Sequence, residues 1–199
     1  MKIYLLIFSL IFSIIGCEIF ATREPEKPGE SKYNFIPPTE PSLVVQNFEY
    51  SIKEKNLENF IKCFSPDGSP KTAYKFYPAQ TALSSFSSIF DNWSIESERR
   101  VFNSVISLLT EETSPVLYWQ NKKPISEYPD SAIFESEYFL QFNFTSTDNS
   151  IPAVYQGTIR LTMLPSENGL WSISSWYDFD LQKDSINTTW SFLKAKMYN

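Results

Sequence analysis

No histidine occurs among the 199 residues. Imidazole acid–base catalysis, histidine-activated nucleophiles and histidine-ligated zinc are thereby excluded. The groups left to do chemistry include carboxylates, phenols and two thiols, Cys17 and Cys63. Asp178 follows Trp176 near the end of a candidate strand. A carboxylate desolvated there could act as a base, or it could cap or pair at the strand end. Glu135 and Glu137 fall two apart on one strand face. That face is polar along most of its length, which reads as solvated outer surface and not as a catalytic carboxylate pair. There is no CxxC pair, glycine-rich phosphate loop or calcium loop, and five glycines leave little room for one. No metal and no cofactor are expected.

Cys17 closes a segment of a different kind. Lys2 precedes an apolar run, Ile3 to Ile15, diluted only by Ser9 and Ser13. A bilayer span needs about 20 residues, so the run is short for one and suits the apolar region of a signal peptide. It ends in Ile14-Ile15-Gly16-Cys17, which resembles the lipobox of bacterial lipoproteins. The resemblance implies acylation of the Cys17 thiol, with diacylglycerol and palmitate-type chains, and cleavage before it. An ordinary secretory signal with an incidental cysteine, or an uncleaved anchor, is the competing reading. Removing residues 1–16 takes away one lysine and no acid, so the net charge moves from −6 to −7. An acidic body gains nothing from anionic lipid, so attachment would rest on the acyl chains. The expected location is a bacterial cell envelope, facing the periplasm or the exterior. Residues 17–40, with Pro25, Pro28, Pro37 and Pro38, read as a lipidated cysteine and tether. Once Cys17 is acylated, Cys63 has no disulfide partner and reads as a buried inert thiol.

Residues 41–199 read as one globular domain. Hydrophobic residues make up 42% of the chain and aromatics 17%, which excludes disorder and suggests a core or cavity walled by rings. The acidic balance and the lack of a basic cluster argue against a nucleic-acid partner. From Pro41 to Phe64 two helices are expected, broken at Lys53–Asn56. Val44, Val45, Phe48 and Ile52 form the apolar stripe of the first, and Leu57, Phe60, Ile61 and Phe64 that of the second. Thr39 or Ser42 could cap the first, and Asn56 is placed to cap the second. Ser65–Pro70 is a turn, Tyr74–Tyr77 a short strand, and Ala79–Trp93 shows no clear period. Ser94–Leu109 is a helix carrying Phe102, Val105, Ile106 and Leu109, with Glu96 and Glu98 in its first turn.

Strands follow. Val116–Asn121 is brief. Ala132–Thr145 alternates, with Phe134, Tyr138, Leu140, Phe142 and Phe144 inward and Ser136 and Phe139 as exceptions. Thr147–Ser150 turns into a strand whose inward face is Ala153, Tyr155, Gly157, Ile159, Leu161 and Met163. Asn168-Gly169 signals a hairpin into Leu170–Phe179. There Trp176 is out of phase with Trp171 and Ile173, which predicts a bulge near Ser174-Ser175. Trp190–Lys194 suggests a short terminal helix.

This order, with Leu43-Val44-Val45, Phe48, Asn56-Leu57-Glu58, Phe60 and Cys63-Phe64 opening it and Gly169-x-Trp171-x-Ile173-x-x-Trp176-x-Asp178 closing it, resembles the nuclear transport factor 2-like superfamily. The resemblance covers about residues 41–180 and rests on fold signatures. It implies an α+β fold: N-terminal helices packed on a strongly curved antiparallel sheet, forming a cone with a tapered pocket, preceded here by a lipoprotein signal peptide. It is also similar to the lipoprotein branch of that fold, whose members mostly have no assigned activity. Two functions follow as expectations. The first is a non-enzymatic, lipid-anchored binding or scaffold domain. Its partners would be a small apolar or aromatic ligand in the pocket, a second copy or an envelope protein. The second is an isomerase or lyase with Asp178 as base and Tyr118, Tyr138 and Tyr155 as phenol donors. Beside these stands a purely structural envelope partner whose pocket is filled by its own aromatics. Where the superfamily's dehydratases use histidines this chain has none, and it shows no tight polar constellation, which favours that reading and the first over the second.

Overall fold

The computed structural model describes residues 34–66, 72–110, 112–145, 151–181 and 188–198. Cys17, residues 18–33 of the tether, most of the Ser65–Pro70 turn and the Thr147–Ser150 turn lie outside them.

Helix α1 is Pro41–Lys53 and α2 is Leu57–Lys62. The expected stripe of α1 is the buried one: Val44, Val45, Phe48 and Ile52 are all at most 4% exposed. Pro41 stands at the start of α1, where a missing N–H costs nothing. Glu40, not Thr39 or Ser42, takes the cap position of α1; its carboxylate accepts from the Ser42 hydroxyl and caps no backbone N–H. The break between the helices puts Lys55 at a positive φ of 56°. Asn56 then caps α2 by accepting from the Asn59 N–H at 3.0 Å. Residues 34–40 lie against the domain. The Asn47 side chain brackets Ile36, donating to its carbonyl at 2.7 Å and accepting from its N–H at 3.0 Å. The Trp171 N–H donates to the Pro38 carbonyl at 2.8 Å.

After β1 (Lys75–Tyr77) come α3 (Gln80–Phe86) and a 3-10 turn, Ser87–Ile89. Sequence periodicity gives no sign of α3. It buries only Ala82, and its serines compete with the backbone for hydrogen bonds, so no apolar stripe forms. Helix α4 (Ile95–Ser107) opens on a capping box between Ser94 and Ser97.

The sheet contains β2 (Val116–Gln120), β3 (Ser126–Tyr128), β4 (Ser131–Gln141), β5 (Val154–Pro165) and β6 (Trp171–Phe179). Its order is β1-β6-β5-β4-β2, with β3 also paired to β4. The sheet is mixed and not purely antiparallel, because β1 runs parallel to β6. No hairpin links those two strands, so nothing local dictates their direction. Along β4 the alternation is complete. Ser136 points inward, its hydroxyl donating to the Gln120 carbonyl at 2.8 Å, and Phe139 faces outward beside Tyr118. The long strand expected to reach Thr145 ends at Gln141, and Ala153 lies exposed just before β5.

The bulge is where the phase change places it. Thr162 pairs with Ser175 and Met163 with Ile173, so Ser174 is the extra residue. Its hydroxyl donates to the Thr162 carbonyl at 3.1 Å. The insertion lets Ile173, Trp176 and Asp178 all face the interior, where a regular strand would turn Ile173 away from the other two. Gly169, at φ 77°, ends the turn that joins β5 to β6. The last helix, α5 (Trp190–Met197), packs on the concave side with Trp190, Leu193, Lys194 and Met197 buried.

Phe48 is the centre of the core. Its ring lies 5.3 Å from Trp176, 5.5 Å from Phe60, 5.7 Å from Trp190 and 6.2 Å from Phe64, tying α1 to α2, β6 and α5. Truncation to Phe48→Ala should cost about 3–5 kcal/mol in urea unfolding. A loss under about 1 kcal/mol would mean that these rings do not depend on it.

Candidate functional site: buried charges around the C-terminal helix

Asp178 sits on the inner face of β6, 2% exposed. Tyr138 projects from β4 and reaches it across β5. That reach requires Gly157: a Cβ there would lie 2.5 Å from the Tyr138 hydroxyl and 2.8 Å from the Phe179 carbonyl oxygen. The Tyr138 hydroxyl donates to Asp178 Oδ1 at 2.8 Å and accepts from the Trp190 N–H at 2.6 Å. Asp178 Oδ2 accepts from the Ser191 N–H at 2.7 Å and from the Ser191 hydroxyl at 2.5 Å. Ser191 Oγ in turn accepts from the Ala79 N–H at 2.9 Å. A carboxylate and a phenol thus bind two of the N–H groups that the first turn of any helix leaves unpaired. Burial lifts the Asp178 carboxyl to about 6, against the opposing pull of the Ser191 and Tyr138 hydrogen bonds and of Lys194. Burial, and then the Asp178 charge, hold the Tyr138 phenol well above its usual range.

A second polar cluster lies one turn further along the same face of α5. Lys194, 1% exposed, donates from Nζ to Glu98 Oε1 at 2.5 Å. The same oxygen accepts from the Tyr74 hydroxyl at 2.6 Å and from Trp93 Nε1 at 2.8 Å. The ammonium lies 3.5 Å from the ring centre of Trp176, 3.6 Å from Phe76 and 5.6 Å from Trp93. Burial lowers the Lys194 amine to about 8, with Glu98 and then Asp178 resisting the shift.

Of the residues marked in the sequence, the structure joins Asp178 and Tyr138. Tyr155 is buried beside Phe142, its hydroxyl without a partner among the described residues, and burial raises it. It pairs with Leu140, four residues along β5 from the Ile159 that faces Asp178, so about 13 Å of strand separates it from that cluster. Tyr118 is 61% exposed on the outer face of the sheet. Glu135 is also on the outer face, bonded to Lys123 and, at 2.8 Å, to Arg160; Lys123 and then Arg160 hold its carboxyl below the usual range. Cys63 is buried and its thiol is raised by desolvation, as suits an inert residue. No group of acids and cysteines able to hold a metal occurs among the described residues, and no described helix is long and apolar enough to cross a membrane. Two surface grooves, of about 540 and 480 Å³, lie around Ser65–Ser172 and between α2 and α4. Neither is lined by Asp178, Tyr138 or Lys194.

No motif marks Glu98 or Lys194 as a site residue. Their signal is spacing. Glu98, Val101, Phe102 and Val105 share one helical face, as do Trp190, Leu193, Lys194 and Met197. An acid and a base each occupying a core position of its helix are candidates for pairing with each other.

No protein-family model matches the sequence, and no curated protein matches it. Solved structures do resemble it. A member of the nuclear transport factor 2-like family from Streptomyces avermitilis, named a candidate dehydratase, aligns at a TM-score of 0.51 and 9% identity, over 71% of this chain and 93% of its own. A conserved protein from Planctomyces limnophilus aligns at 0.50 and 8% identity, over 69% and 91%. Bd1075 of Bdellovibrio bacteriovorus aligns at 0.50 and 10% identity over 72% of this chain, which spans only 40% of that protein. At such identities the likeness speaks for the fold alone. It is the nuclear transport factor 2-like cone of helices on a curved mixed sheet.

Two measurements probe the Asp178 cluster. An aspartate raised in the folded state takes up protons on folding. Its stabilisation is therefore complete below about pH 4 and is lost as the pH rises to about 6. The difference in urea midpoint between the wild type and Asp178→Asn should change across that window, and parallel pH profiles would refute the assignment. Gly157→Ala should displace the Tyr138 hydroxyl and lower stability by about 2–4 kcal/mol. Adding Tyr138→Phe to that variant should then cost little more, because the bond is already lost.

Proposed function

We propose that the protein is a lipid-anchored domain of a bacterial cell envelope, held by acyl chains on Cys17, and that it acts as a non-enzymatic binding or scaffold module through its exterior. The observation that carries the non-enzymatic part is how Asp178 and Tyr138 are used. Both carboxylate oxygens and the phenol are engaged in holding α5, and both side chains are at most 2% exposed. A substrate would have to displace a helix that carries part of the core. The exterior offers Tyr118, Tyr77 and Phe179 at 61%, 40% and 38% exposure, ring types enriched where proteins touch. Tyr77 stacks on Tyr177 at 4.2 Å, and Arg160 lies over Phe179 at 5.5 Å, so this edge of the face is ordered before any partner arrives.

The isomerase or lyase reading keeps one supporting observation. A carboxyl lifted to about 6 beside a phenol is the pairing that proton abstraction next to a carbonyl uses. Asp178→Asn and Tyr138→Phe separate the two readings. In a scaffold they lower stability and leave partner binding intact, whereas in an enzyme they abolish turnover.

The anchor and the exterior are tested in one strain set. Cys17→Ala should abolish fatty-acid labelling and release the protein from the membrane fraction; persistent labelling would end the lipoprotein reading. A photo-crosslinking residue at position 118 should capture an envelope protein or a second copy, and Phe179→Ser in the same chain should weaken that adduct without a change in Tm. No adduct at 118 or at 179 would argue against the outer face.

A further inference from the structure

The groups around the Lys194 ammonium divide into two sets of different origin. Glu98, Tyr74, Trp93, Phe76 and Trp176 come from α4, β1, β6 and the segments beside them, and α5 supplies only the cation. The receiving half is complete without α5. Tyr74 and Trp93 each donate to Glu98 Oε1, so the anion is fixed by two neutral hydrogen bonds that do not involve the lysine. Two aromatic faces close on the nitrogen at 3.5 and 3.6 Å, with a third at 5.6 Å. Rings facing a cation beside an oriented carboxylate are the recognition chemistry of an organic ammonium. Within this chamber the Trp176 N–H is fully buried and finds no partner among the described residues, so one donor remains unused.

From this geometry we infer that the cone contains a recognition site for a primary alkylammonium ion, which the chain's own C-terminal helix occupies with Lys194. The inference does not rest on the proposed envelope role. Its specificity follows from the distances. A nitrogen 3.5 Å from a ring centre has its hydrogens against the π-face and leaves no room for methyl groups, so quaternary ammonium ions are excluded. An alcohol of equal length could donate to Glu98 but lacks the positive charge that strengthens the bond and meets the ring faces.

The test restores the missing half from solution, using the full chain. Lys194→Ala removes three methylenes and the ammonium, which n-propylammonium supplies. The variant should melt about 10 °C below the wild type, as expected for a buried ion left unpaired in a domain of this size. Propylammonium chloride should raise the variant's Tm in a saturating manner and recover at least half of that loss. The wild type, whose site is filled, should move by less than about 1 °C under the same additions. Propanol, tetramethylammonium chloride and sodium chloride should not reproduce the rescue. Lys194→Met, whose side chain fills the chamber, should be insensitive to the amine. Equal shifts in wild type and variant, or equal rescue by propanol, would overturn the inference, as would a Lys194→Met protein that responds like the alanine variant. If Lys194→Ala does not fold alone, dilution from urea with and without propylammonium decides the matter. Amine-dependent recovery supports the site, and no recovery at any amine concentration that the wild type tolerates refutes it.

Discussion

Taking an ionised group out of water costs several kcal/mol, and this cone takes in an ammonium and two carboxyl groups. The arrangement around α5 follows from meeting that cost. Lys194 and Glu98 neutralise each other at 2.5 Å, two neutral donors complete the shell of Glu98, and aromatic faces stand where water would have solvated the amine. Asp178, with no cation in direct contact among the described residues, is held instead by a helix terminus and two hydroxyls. The two clusters hold one face of α5 at two levels, its first turn and the turn after it. Apolar packing through Trp190, Leu193 and Met197 supplies area, while the polar contacts fix where along its axis the helix must sit. A helix held by packing alone could slide by a turn; one whose ammonium has a single carboxylate to meet could not.

Much of this was legible in the sequence. The stripes of α1 and α4, the Asn56 cap and the alternation on β4 and β5 follow from the periods of helix and strand, which local chemistry fixes. The phase slip between Ile173 and Trp176 located the bulge, because an inserted residue lets a tryptophan that is out of register still face the core. Three things did not show. Helix α3 carries no stripe because it covers the domain with one buried alanine and its serines. The parallel pairing of β1 joins strands about 100 residues apart, beyond the reach of local patterning. Glu98 reads as an ordinary first-turn acid unless the apolar face of its helix is followed back one turn, and its burial depends on a lysine 96 positions away.

The candidate residues divide for a similar reason. Strand alternation assigned Tyr138 and Tyr155 to the interior but said nothing of which strands adjoin. Their distance from Asp178 depends on sheet order and register. Gly157 settles the first of them: without a Cβ at that point, a side chain from β4 can cross β5 to a partner on β6. Tyr118 lies on a strand of five residues, too short for alternation to say which side faces water, and it faces out.

The clamp on residues 36–38 has a mechanical consequence. Tension arriving along the chain from upstream would first load the Asn47–Ile36 pair and the Trp171–Pro38 bond. One anchors the incoming strand to the first helix and the other to the start of β6, so the load would be shared between the helical layer and the sheet. Three hydrogen bonds would have to yield before the pull ran through the backbone into the first turn of α1. These few residues would then act as a strain relief, and thermal motion of whatever precedes them would be damped before it reached the buried charges.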